Sequence, residues 1–181
     1  MKVIFLDIDG VLNSRETLKR LKDFRKNPNY LPIDDFRVPY LKAIIEETNS
    51  KIVLISSWRR YFKKEENNII PTMPLSIELN KLFLQNNIEI YDLIGKEQYG
   101  IEYREKQIID YLEKNNIDEF IIIDDEISSY EILLDKVINT SIKNKGELVR
   151  GLEDTLGLSP EHIDVAINML NEKKVHLRNS N

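Results

Sequence analysis

The 181-residue chain carries 26 basic and 31 acidic side chains for a net charge of −5, and its 41% hydrophobic and 31% charged residues describe one folded globular domain rather than a disordered chain. The absence of cysteine excludes a disulfide scaffold. The longest unbroken apolar runs, Val3 to Leu6, Ile52 to Ile55 and Phe120 to Ile123, have four residues each, far short of the ~18 that a membrane span needs. The first run meets Asp7 and Asp9 at once, not a small-residue cleavage site, so a cytoplasmic location is expected.

Three Ile- and Val-rich segments end in polar or acidic residues: Lys2 to Leu6 before Asp7, Lys51 to Ile55 before Ser56, and Glu119 to Ile123 before Asp124. Such runs predict strands buried on both faces, as in a parallel sheet. Helical spacing appears between them. Arg15 to Arg25 places Leu18, Leu21 and Phe24 on one stripe, Pro39 to Thr48 does so with Leu41, Ile44 and Ile45, and Arg104 to Leu112 with Ile108, Ile109 and Leu112. Weaker strands are expected at Ile88 to Ile94 and Lys136 to Asn139. A last helix follows Ser159 as cap, with Pro160 and Glu161 in its first turn. The alternation predicts an α/β fold, a doubly wound parallel sheet with helices on both faces.

In such sheets the ligand crevice lies beyond the carboxyl ends of the strands, so Asp7, Asp9, Ser56, Ser57, Asp124 and Asp125 are expected to converge although they are far apart in sequence. Carboxylates brought so close repel by roughly 4 kcal/mol per pair at 4 Å and an effective dielectric near 20, which a cation would relieve. An all-oxygen donor set suits Mg²⁺ better than zinc. Taken alone, an Asp after a strand is more often a turn or a cap.

The run Val3-Ile-Phe-Leu-Asp7-Ile-Asp9-Gly10-Val-Leu-Asn13 resembles the first motif of the haloacid dehalogenase (HAD) superfamily, an apolar strand followed by D-x-D-G. Ile52 to Arg59 resembles the second, a strand ending in Ser, and Ile121 to Glu126 the fourth, a strand ending in paired acids. The third, a cation opening the preceding helix, has two candidates, Arg104 and Lys106. Their side chains point about 200° apart, and Arg104 is favoured because it opens the helix. The Ser-Ser-Trp-Arg stretch, Ile94-Gly95-Lys96 and Gly157-Leu158-Ser159 are most similar to a small branch associated with RNA repair proteins.

The resemblance implies a Mg²⁺-dependent phosphatase with an aspartyl-phosphate intermediate. Asp7 is the implied nucleophile. Asp9 is the implied general acid and base, Gly10 permits the turn beside the substrate, Ser56 binds the phosphoryl group and Arg104 or Lys106 offsets its charge. The implied metal set is Asp7, the backbone carbonyl of Asp9, Asp124 and Asp125. Ser57 is either a helix cap or a substrate contact. Trp58 and Arg59 read more simply as core packing and a solvated charge, and Glu126 as a first-turn acid.

One catalytic domain is expected over residues 1–173, with a frayed tail after it. The segments 14–50 and 60–103, where the superfamily inserts caps, are too short for an independent cap domain. Residues 14–27 carry +4, including Lys19 and Arg20, and residues 51–64 carry +5, leaving −14 elsewhere. A positive surface round the pocket would bind a phosphorylated nucleotide or nucleic-acid end, whereas solvated helix faces would leave a small metabolite as substrate or a non-catalytic phosphate-binding module.

Overall fold

The three strands predicted from apolar runs lie side by side at the centre of one sheet. In the computed structural model, residues 1–14, 16–17, 31–66, 68–95, 103–141 and 156–172 are described. The elements are β1 (Lys2–Leu6), α1 (Val38–Thr48), β2 (Lys51–Leu54), β3 (Phe62–Glu65), β4 (Asn68–Pro71), α2 (Pro74–Gln85), β5 (Ile90–Leu93), α3 (Arg104–Lys114), β6 (Glu119–Asp124), β7 (Val137–Asn139) and α4 (Glu161–Asn171). Of the helix expected from Arg15 to Arg25 only residues 16 and 17 are described, both helical; the rest, with Lys19 and Arg20, lies outside the described residues, as does the tail from 173.

Among the described residues, the main sheet has order β5-β2-β1-β6-β7 and every pairing is parallel. Parallel strands are buried on both faces, and the two sets of alternating side chains enter two separate cores. Ile4, Leu6, Ile52, Leu54, Ile121 and Ile123 pack with Leu41 and Ile44 of α1, Leu79 and Phe83 of α2, and Ala166 and Leu170 of α4. Val3, Phe5, Val53, Ile55 and Ile122 pack on the opposite face with Ile108 of α3 and with Tyr130. Each fully buried aliphatic contributes about 1.5–3 kcal/mol, so the alternation along each strand fixes its register. This is the doubly wound α/β architecture expected from the alternating elements.

The chain runs from β1 outward to β2 and β5, then returns to the other side of β1 for β6 and β7. The order therefore reverses between β1 and β6, where the crevice of an open α/β sheet forms.

Three elements were not read from the sequence. An antiparallel hairpin, β3 with β4, follows the turn after β2, and α2 follows it with Pro74 in its first turn. The carboxyl-terminal helix is also capped differently from expectation. Pro160 occupies the cap position, and Ser159 instead donates its backbone N–H to His162 Nδ1 at 3.0 Å, so the histidine reaches back to close the turn. No helix among the described residues is long and apolar enough to cross a membrane.

Candidate active site

Beyond the carboxyl ends of β1 and β6, Asp7, Asp124 and Asp125 each present an oxygen within 4.8 Å of the others. Asp7 follows β1 directly, and its backbone N–H extends the ladder to Ile123 O at 3.0 Å. Asp124 ends β6 and is fully buried. Arg104, the first residue of α3, reaches across both. Its guanidinium bonds Asp124 Oδ2 and lies 3.5 Å from Asp7 Oδ1.

Asp124 is held by donors on both of its oxygens. Asp124 Oδ2 also accepts the Tyr130 hydroxyl at 2.5 Å, and Asp124 Oδ1 accepts the Glu126 backbone N–H at 2.8 Å. Burial raises the Asp7 carboxyl well above its ordinary range; Arg104 opposes the rise, while Asp124, Asp125 and Asp9 add to it. Asp125 is pushed up to about 7, by burial first and then by Asp124. Burial works against the Arg104 charge, but Asp7 and Asp124 outweigh it and hold the guanidinium above its usual value. Burial and Asp124 likewise raise the Tyr130 hydroxyl.

Three carboxylates against one guanidinium leave two negative charges when all are ionised, a deficit that a divalent cation fits. The donor set is oxygen alone, which suits Mg²⁺.

Asp9 lies beside this cluster, held at both oxygens. Asn13 Nδ2 donates to its Oδ1 at 3.0 Å, and the indole Nε1 of Trp58 donates to its Oδ2 at 2.9 Å. The turn after Asp9 depends on Gly10, whose φ is +78°. Its N–H donates to Asn13 Oδ1 at 2.7 Å and its carbonyl accepts from Thr140 Oγ1 at 2.7 Å. Both of its backbone polar groups are thus already bonded within the protein.

Ser56 is buried at the end of β2, where its Oγ accepts the Trp58 backbone N–H at 3.3 Å and keeps its own proton to give. Ser56, not Ser57, caps the short helical turn that follows, and Ser57 is exposed. Lys106 is exposed on α3, while Arg104 two residues earlier faces the carboxylates, as the 200° separation requires. Of the two third-motif candidates, then, Arg104 alone is in contact with the acidic cluster.

Arg59 departs furthest from its sequence reading. In place of a solvated charge it is 5% exposed, and its guanidinium donates to the carbonyls of Ile55, of Ser56 at 3.1 Å and of Gly95 at 3.2 Å. It ties the carboxyl ends of β2 and β5 together. The other four basic residues of 51–64 are exposed, two of them paired with acids. Lys63 pairs with Glu65 at 2.6 Å and Lys64 with Asp92 at 2.7 Å, while Lys51 opens β2 at the far end of the sheet. Arg60 is exposed, lying 4.8 Å from the Tyr61 ring centroid.

Sequence reasoning gave no role to Asn13 or Tyr130 and left Trp58 to packing. Asn13 carried a signal, standing four residues after Asp9 across one tight turn. Tyr130 and Trp58 carried none, because their partners are set by how β6 and β2 flank β1.

The search of curated proteins and the search of solved structures return no match. A family model described as the HAD domain in Swiss Army Knife RNA repair proteins matches residues 3–155, a span that holds all four candidate motifs. With its parallel sheet and its acidic cluster at the β1–β6 switch, the chain belongs to that family of HAD domains.

Proposed function

We propose that this protein is a Mg²⁺-dependent phosphomonoester hydrolase that works through an aspartyl-phosphate and acts on phosphorylated nucleic-acid ends. The observation that carries the reading is Arg104 bridging Asp7 and Asp124 beside a doubly restrained Asp9. Asp7, Asp124, Asp125 and the Asp9 carbonyl would hold the metal. When bound, Mg²⁺ supplies positive charge that offsets the phosphate dianion.

The protein's own groups divide the remaining work. Asp7 attacks phosphorus as the bond to the leaving oxygen breaks, and Asp9 gives that oxygen its proton. In the second half a water attacks phosphorus, Asp9 takes back a proton, and the bond from Asp7 to phosphorus breaks. Arg104 lies where charge collects on Asp7 and on the transferring group, and the Ser56 hydroxyl donates to a phosphoryl oxygen. Membership of a family named for RNA repair supports a nucleic-acid end as substrate.

One observation favours a small phosphorylated metabolite instead. Arg59 is buried against backbone carbonyls, and the exposed Lys63 and Lys64 are each paired with an acid, Glu65 and Asp92, which lowers the net positive charge offered to a polyanion. A screen of purified protein against 3′- and 5′-phosphorylated oligonucleotides, mononucleotides and sugar phosphates, with Mg²⁺ or with chelator, tests both readings. Preference for an oligonucleotide with a steep salt dependence supports the first, and equal salt dependence across substrates supports the second. No Mg²⁺-dependent turnover of any phosphomonoester would overturn both.

A further inference from the structure

Trp58 is the only tryptophan of the chain, and it is 5% exposed within the core face that carries α1, α2 and α4. Packing accounts for its ring, which meets Tyr61 edge to face with centroids 6.4 Å apart. Packing does not account for its one polar atom. A buried indole N–H needs an acceptor, and here the acceptor is a carboxylate 49 residues away in sequence, Asp9 Oδ2 at 2.9 Å.

The other Asp9 oxygen receives Asn13 Nδ2, which also donates to the Pro32 carbonyl at 2.9 Å and is thereby fixed itself. One donor on each oxygen fixes both the plane and the rotation of the carboxyl group. Neither an indole N–H nor an amide NH₂ accepts a hydrogen bond. A proton carried by Asp9 therefore sits on a lone pair turned away from Trp58 and from Asn13.

We propose that Trp58 is a positioning residue for proton transfer by Asp9, an inference that rests on the phosphatase reading. The step it serves is balanced within the site. The Asp9 O–H proton passes to the leaving alkoxide oxygen as its bond to phosphorus breaks and the Asp7 oxygen to phosphorus bond forms. Leaving groups that depart as weak bases need little of this help, while alkyl and simple aryl alcohols need it fully. A misplacement of about 1 Å in such a transfer costs ~10²-fold.

The test compares Trp58→Phe with wild type on phenyl phosphate and on 2,4-dinitrophenyl phosphate at saturating Mg²⁺. Phenylalanine keeps an aromatic ring in the core and removes the donor, together with part of the indole's volume, a packing loss that falls on both esters alike. The expected result is a kcat/KM loss of ~30- to 100-fold on the phenyl ester and a loss several times smaller on the dinitrophenyl ester, with the Mg²⁺-induced rise in melting temperature preserved. Equal losses on the two esters, or none on either, overturn the proposal. A second readout needs no turnover: the single indole N–H resonance should shift and exchange faster with solvent in Asp9→Ala, and an unchanged resonance also overturns it. Wild-type protein that hydrolyses neither ester nor any phosphorylated oligonucleotide, mononucleotide or sugar phosphate, with the resonance still responding to Asp9→Ala, overturns the phosphatase reading and the role built on it while leaving the contact itself intact.

Discussion

The carboxylate of Asp125 fills the space that a side chain at position 10 would need: a Cβ on Gly10 would lie 2.3 Å from Asp125 Cγ. The φ of +78° disfavours any side chain there independently. Gly10→Ala should therefore push Asp125 out of the acidic cluster and weaken Mg²⁺ binding by at least ~10-fold. The left-handed backbone adds strain of about 1–3 kcal/mol, or about 2–12 °C in melting temperature for a chain of this size. Calorimetric titration and a thermal melt check the two effects separately.

Asp7→Asn should abolish turnover and leave the fold in place. Burial and three neighbouring carboxylates already raise the Asp7 carboxyl, so its charge is costly in the absence of metal. Removing that charge should leave the melting temperature in chelator unchanged or higher, and Arg104 keeps Asp124 as its partner. Retained activity in a purified preparation would rule out Asp7 as nucleophile.

Arg104→Ala and Lys106→Ala should differ sharply. Arg104 is partly buried between two acids that are themselves buried, and removing one partner of a buried pair costs up to about 3–5 kcal/mol. The exposed Lys106 should change stability by no more than about 0.5 kcal/mol. Denaturant melts in chelator measure this difference, and steady-state rates should rank the two variants in the same order.

The pH dependence follows from Asp125, whose carboxyl stands at about 7 against an ordinary 3.8. A raised folded-state value means that the folded protein holds this proton more tightly than the unfolded chain does. The stabilisation is complete below about 4 and is lost as pH rises through about 7. Metal-free protein should thus lose stability across that window. Mg²⁺ affinity should rise over the same interval, by up to ~10-fold per pH unit for one displaced proton, because the cation binds the ionised carboxylate. Titrations at pH 5.5, 6.5 and 7.5 should give that slope for wild type and a shallower one for Asp125→Asn.

The central strands were legible because β1, β2 and β6 are sealed on both faces and read as unbroken apolar runs. The β3–β4 hairpin was not, since only Phe62 of Phe62-Lys-Lys-Glu is buried and no alternation marks it. Helix α2 did carry a pattern, Leu75, Leu79, Leu82 and Phe83, that went unread. At the site, the motif acids were legible from their places after strands. Arg59 was not, because a basic residue followed by Arg60 looks like solvated surface until the carbonyl ends of β2 and β5 are brought over it. Tyr130 was equally hidden, its partner Asp124 being reached only through the turn after β6.

The Asn13 amide joins the Asp9 carboxylate to the Pro32 carbonyl, so the departure and the return of the segment between residues 14 and 32 meet at a single side chain. The same neck is closed by Leu12 O accepting the Asp34 N–H at 2.8 Å, and Asp34 is held in turn by Arg37 at 2.8 Å. Closure entropy grows by only about 0.6 kcal/mol for each doubling of a loop. Exchanging or lengthening the chain beyond this neck should therefore cost little and leave the Asp9 carboxylate in place.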